Sequence, residues 1–125
     1  GTIAVFDNGH YRTDFGRDGL PRPGAPLNSA IVTVDPRTGA SRLVYGRDVE
    51  SAFRTIIRGK HDPTSAGGYM ITEFEAGRIF EVDGQGNLVW EFINRFDDTR
   101  VIELTEGRLY ERSYFSVSDW SCPGN

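Results

Sequence analysis

The chain has 125 residues and a formal net charge of −4, enough for one domain and the wrong sign for a nucleic-acid or anionic-membrane partner. With 38% hydrophobic and 12% aromatic residues it is no disordered tail, and its 15 glycines mark a turn-rich fold. No apolar run approaches the ~20 residues of a membrane-spanning helix, so no span is expected in this segment.

Residues 2–6 predict an apolar strand that stops at Asp7-Asn8-Gly9. Residues 10–28 are polar and rich in Gly, Pro and Arg; Pro21, Pro23 and Pro26 argue against sheet pairing, so a rim loop is expected there. Strands follow at 30–35 and 41–45. Residues 49–57 fit both a short helical face and an interrupted strand, with Val49, Phe53, Ile56 and Ile57 as the apolar positions. Residues 58–68 read as a second polar loop. Strands come next at 69–74, 78–83 and 88–93, then a last pair at 100–104 and 107–110 about Thr105-Glu106-Gly107. The tail, 116–125, is weakly specified.

Two of these hairpins share one grammar. Asp83-Gly84-Gln85-Gly86-Asn87 reverses the chain between Ile79-Phe80-Glu81-Val82 and Leu88-Val89-Trp90, and Asp35-Pro36-Arg37-Thr38-Gly39 does so between Ile31-Val32-Thr33-Val34 and Leu43-Val44-Tyr45. Asp and Asn bond their own backbone in such turns, and Gly takes a positive φ without a Cβ clash. Asp35 and Asp83 lie 48 positions apart, Gly39 and Gly86 47. A β-rich unit recurring at roughly 40–50 residues is the signature of a propeller blade. The expected fold is therefore all-β: antiparallel meander blades, about two to three of them, forming part of a β-propeller. The approximate units are 1–48 and 49–94, with a partial unit at 95–115 and a tail at 116–125. Propellers need ~4–8 blades to close, so the chain is expected to be the C-terminal part of a longer protein whose remaining blades, or companion chains, cover its apolar faces.

CxxC, HExxH, Walker and GxSxG motifs and EF-hand spacing are all missing, so no metal or nucleotide cofactor is expected. Cys122 is the single cysteine and is either free or paired outside the segment. Two basic stretches stand out: Asp7-Asn8-Gly9-His10-Tyr11-Arg12 at a strand end, and Arg58-Gly59-Lys60-His61. Arg presents a planar set of donors to sulfate or phosphate oxygens, and His serves as nucleophile or proton carrier near neutral pH. Solvated surface side chains are the plainer explanation of both. For Arg78 a structural pairing with a Glu across strands is expected, for Trp90 packing between blades, and for Tyr110, Tyr114 and Phe115 a cluster closing on a neighbouring blade.

Val5-Phe6-Asp7-Asn8-Gly9-His10-Tyr11-Arg12 resembles the "FDNGxxR" segment of the PAPS-independent arylsulfotransferases, the aryl-sulfate sulfotransferase family. Arg58-Gly59-Lys60-His61, Gly67-Gly68-Tyr69-Met70-Ile71-Thr72-Glu73 and Gly77-Arg78-Ile79-Phe80-Glu81-Val82 together resemble its "GxHQxLPNGNxLITE…GRxFEV" run, and Gly86-Asn87-Leu88-Val89-Trp90-Glu91-Phe92-Ile93-Asn94 its "GxIVWEYxN". The resemblance covers nearly the whole chain apart from the first long loop and the tail. It implies a six-bladed propeller, a periplasmic or extracellular location, and transfer of a sulfuryl group from a phenolic sulfate to a phenol through a sulfohistidine, without a cofactor. It also implies residue roles. Arg12 matches the family's sulfuryl-binding arginine, and His61 lies where its later histidine is sought, making these the catalytic candidates. Asn8, His10 and Arg12 are the substrate-binding candidates, His10 standing at a variable position of the motif.

Two departures bear on this. Thr64-Ser65-Ala66-Gly67-Gly68 replaces "LPNGN" and lacks its turn-forming Pro and Asn, and the family's other histidines belong to blades upstream of Gly1, so the segment alone is expected to be inactive. The rival expectation is a non-catalytic propeller module for binding or structure within a larger assembly.

Overall fold

A computed structural model describes residues 1–9, 13–15, 21–23, 28–48, 50–119 and 121, with the backbone alone for 13–15 and 21–23. The strands, in chain order, are β1 (Ile3–Asp7), β2 (Thr13–Phe15), β3 (Pro21–Pro23), β4 (Ala30–Val34), β5 (Ser41–Gly46), β6 (Lys60–Pro63), β7 (Tyr69–Glu73), β8 (Arg78–Val82) and β9 (Leu88–Ile93). All strand pairs are antiparallel. The first sheet has the order β1-β4-β5, the second β6-β7-β8-β9, and β2-β3 form a small ribbon inserted between β1 and β4. Among the described residues the single helical turn is a 3₁₀ segment at Arg112–Tyr114. The chain is thus all-β and built of antiparallel meanders the size of propeller blades, without a closed ring among the described residues.

The hairpin turns form as their residue types require. The Asp83 carboxylate accepts the backbone N–H groups of Gln85 (2.8 Å) and Asn87 (2.9 Å) and the Asn87 side-chain amide (2.9 Å), while Gly86 sits at φ 86°. Asp35 repeats the pattern by accepting the Arg37 N–H at 2.8 Å, with Gly39 at φ 73°. Thr64-Ser65-Ala66-Gly67-Gly68 makes a third such turn. The Thr64 hydroxyl accepts the Gly68 N–H at 3.1 Å, the Gly67 N–H reaches the Thr64 carbonyl at 3.0 Å, and Gly67 takes φ 82°. Replacing "LPNGN" therefore costs no turn, because a hydroxyl and a left-handed glycine perform the same closure.

The core lies between the two sheets. Ile31 of β4, Phe53 of the linker, and Ile71, Phe80 and Val82 of β7 and β8 are buried together, with Phe6, Val44, Tyr45 and Tyr69 packed around them. Phe53 meets Phe80 edge-on at 5.7 Å and Phe6 at 5.8 Å, the arrangement aromatic quadrupoles favour. Full burial of each large side chain contributes about 1.5–3 kcal/mol. Both sheets carry a bulge on a Leu-Val-aromatic triplet: Val44 is the extra residue opposite β4 and Val89 the extra residue opposite β8. Such bulges sharpen strand twist.

Several expectations need correction. The 10–28 stretch is not wholly outside sheet pairing, since Thr13 pairs with Pro23 and Phe15 with Pro21. In a two-stranded antiparallel ribbon every second N–H points out of the ladder, so prolines flanking Arg22 are tolerated. Lys60–Pro63 is a strand rather than loop, its register set by pairing with Tyr69–Thr72. Residues 50–57 form neither helix nor strand; Phe53 and Thr55 are buried while their neighbours face out. The strand pair expected at 100–104 and 107–110 is absent, leaving one bridge, Arg95 with Val101. That segment instead crosses the far face of the second sheet. The Leu104 N–H bonds the Phe74 carbonyl (3.2 Å), the Gly107 N–H bonds the Thr72 hydroxyl (3.1 Å), and Lys60 pairs with Glu106 at 2.8 Å.

Candidate functional site

β6 carries His61 opposite Ile71 of β7. Its ring is half-buried between Phe6 of β1 (centroids 6.1 Å apart) and Tyr69 of β7 (5.6 Å). Both sheets therefore contribute to its surroundings. Burial pushes the imidazole below its usual 6.5, and the neighbouring Asp62 carboxylate pulls it partly back. Desolvation disfavours the cation, so near neutral pH the ring is uncharged and carries a free nitrogen lone pair.

The other half of the candidate set begins where β1 ends. Asp7 Oδ1 accepts the Gly9 N–H at 2.8 Å, Asp7 Oδ2 accepts from Arg47, and Gly9 takes φ 63°, so Asp7-Asn8-Gly9 is a closed turn. Fully buried Ser29 grips it from beneath. Its hydroxyl lies 3.0 Å from the Asn8 carbonyl and 3.2 Å from the Thr55 carbonyl, and accepts the Thr55 N–H at 3.0 Å. Among the described residues Asn8 Oδ1 is buried without a hydrogen-bond partner. Buried acceptors are nearly always satisfied, so an orphan at a strand end calls for a donor from elsewhere.

Phe6 joins the halves: its ring packs on His61, and its strand reaches Asn8 two residues later. Among the described residues no hydrogen bond joins Asn8 to His61 directly. His10 and Arg12, expected beside Asn8, lie outside the described residues, as does Cys122.

The rest of the second basic stretch is occupied structurally. Lys60 is held by Glu106, and the Arg58 guanidinium lies over the Phe74 ring at 5.2 Å. Glu75 stitches the linker to β7. Although burial pushes its carboxyl up, donors from Thr55 Oγ1 (2.5 Å) and the Ile56 and Ile57 N–H groups hold it below the usual range. Arg78 does make the expected cross-strand pairing, with Glu91 at 2.8 Å and Glu73 at 3.5 Å. Trp90 does not pack between the sheets: it is 40% exposed and donates to Glu81 at 2.6 Å, because β9 is the outer strand. Tyr110, Tyr114 and Phe115 do cluster, with centroids 4.8–5.3 Å apart, but stay exposed. Among the described residues no three His, Cys, Asp or Glu side chains are grouped to hold a metal ion.

Sequence reasoning did not single out Ser29, Phe6, Tyr69 or Arg47. Phe6 and Tyr69 fall inside the family-like segments, but nothing local marks the part each of the four plays, since each acts on a residue brought near by the fold.

No curated protein and no solved structure matches the chain. A family model described as arylsulfotransferase (ASST) matches residues 1–95, which take in β1 through β9 and every candidate residue. With the strand-end turn, the imidazole and the blade-like meanders all inside that match, the chain belongs to the arylsulfotransferase (ASST) family.

Proposed function

We propose that the protein transfers a sulfuryl group from a phenolic sulfate to a phenol, with His61 as nucleophile and Arg12 and Asn8 at the substrate. The observation that carries this is the desolvated imidazole of His61, uncharged near neutral pH inside a chain of this family. In the first step a ring nitrogen attacks sulfur, the S–O(aryl) bond breaks, and the phenolate leaves with the bonding pair. In the second, the acceptor's phenolic oxygen attacks sulfur, the S–N bond breaks, and the phenolic proton is released. Arg12 is assigned to the sulfuryl oxygens on the motif resemblance, where a planar, permanently charged fork suits them. Asn8 Oδ1, buried and without a partner among the described residues, suits an incoming phenolic O–H. His10 is assigned to the same rim.

The proposal extends to the missing surroundings of the site. The first sheet turns Ile3, Val5, Val32, Val34 and Leu43 to the face opposite the core. Ile3, Val5 and Leu43 are 56%, 42% and 42% exposed. An apolar face of this kind suits a further blade, from the same protein or a companion chain.

The test is to incubate the complete protein with p-nitrophenyl sulfate and a phenol acceptor while following nitrophenolate release. His61→Ala is expected to abolish transfer and Arg12→Ala to lower kcat by about 10²–10³-fold. Absence of transfer by the intact protein, or an unchanged rate in either variant, rejects the proposal.

A further inference from the structure

We infer that Arg47 is a positioning residue of the reaction, acting through Asp7 to hold the turn that presents Asn8; this rests on the sulfuryl-transfer reading above. Arg47 follows directly on β5 and has φ 68°, in the left-handed region that a residue with a Cβ rarely adopts. Gly46 before it is at φ 88°, where a Cβ would fall 2.3 Å from the Ser29 carbonyl oxygen and 2.8 Å from the Phe53 ring. Two successive left-handed residues reverse the chain at the end of the strand. The reversal returns the Arg47 side chain toward the sheet, where its Nη2 donates to Asp7 Oδ2.

The sheet order is what makes this pairing informative. β1 and β5 flank β4 and do not touch, so the pair bridges two strand spacings, roughly 9–10 Å of backbone separation. A long side chain launched from the reversal spans that distance. The other Asp7 oxygen is already committed to the Gly9 N–H at 2.8 Å. The guanidinium therefore fixes the rotamer of the carboxylate that closes the turn, and the turn sets the direction of Asn8. Glycine would occupy position 47 without conformational cost. An arginine held there in an unfavourable conformation, with its side chain on Asp7, indicates that the side chain is what the position requires.

The experiment compares Arg47→Gly, Arg47→Lys and the hairpin control Arg37→Ala in the complete protein. The first readout is kcat and KM for p-nitrophenyl sulfate with a phenol acceptor; the second is amide hydrogen exchange at Gly9. Arg47→Gly is expected to keep Tm within about 3 °C, because relief at φ offsets the lost pair. It should lower kcat/KM by about 10-fold or more and speed Gly9 exchange by a similar factor. Arg47→Lys should recover part of both losses, retaining charge without the planar fork. Arg37, which is exposed and among the described residues pairs only with Asp35 across its own turn at 3.7 Å, should change neither when replaced. Transfer at the wild-type rate in Arg47→Gly overturns the inference even if stability shifts, as does unchanged Gly9 exchange. If wild-type protein transfers no sulfuryl group, the proposed function fails and the positioning role of Arg47 in it fails too. Faster Gly9 exchange in Arg47→Gly would then leave the pair a clamp of structure only.

Discussion

His61 joins two properties that a solvated histidine lacks: aromatic neighbours from both sheets and an imidazole pushed below 6.5 by burial. The linkage to pH follows. Between the lowered folded value and 6.5 the unfolded chain binds more protons at this residue than the folded chain. Its influence on stability is thus neutral above about pH 7 and becomes unfavourable as pH falls through 6.5 toward the folded value. A His61→Phe variant keeps a ring between Phe6 and Tyr69 without the titration. Urea midpoints measured from about pH 7 down to pH 5 should fall less steeply for the variant than for the wild type. The acid limb of the wild-type transfer rate should likewise lie below pH 6.5, since protonation removes the attacking lone pair. A limb above 6.5 would show that another group controls the nucleophile.

Among the elements, β7 and β8 do most to hold the site in place. Phe80 and Ile71 face each other in register and are both fully buried, and Ile71 also stands opposite His61. Phe80→Ala should cost about 3–5 kcal/mol in denaturant unfolding, with part of the loss appearing as mobility of the His61 ring. The segment crossing the far face is tied less firmly. Thr72→Val removes the hydroxyl that accepts the Gly107 N–H and leaves that donor without its partner, so a loss of about 1 kcal/mol is expected. If Thr72→Val is neutral, residues 102–108 are held by the Lys60–Glu106 pair and by contact with Ile79 instead. The turns are legible in the sequence at this scale because their closure is local: Asp83 and Asp35 bond residues two to four positions ahead. β6 is not. Lys-His-Asp-Pro has no strand pattern of its own and becomes a strand only because β7 offers a free edge.

For the whole molecule, two blade-like sheets bury one face of each against the other, while the outer face of the first stays apolar and open. Val5 lies at the middle of that face, opposite Val32. In the complete protein Val5→Asp should lower the unfolding midpoint and raise binding of a hydrophobic dye, since a charge would be buried against the next blade. Exposed Val89, on the outer strand β9, serves as the control, and Val89→Asp should change both by far less. Equal responses would mean that no sheet covers Val5.

Local chemistry alone determined the turns, the alternation of the main strands, the all-β class and the family-like runs around Asp7-Asn8-Gly9 and Gly77-Arg78. These depend on backbone preferences and on side chains reaching their own neighbours, which sequence order preserves. Only tertiary structure decided that His61 is desolvated, that Ser29 grips Asn8 from 21 residues away, and that Arg47 reaches Asp7 across 40. Burial and ion pairing depend on which strands lie side by side, and the order β1-β4-β5 beside β6-β7-β8-β9 arises from packing two apolar faces together rather than from any single stretch of residues.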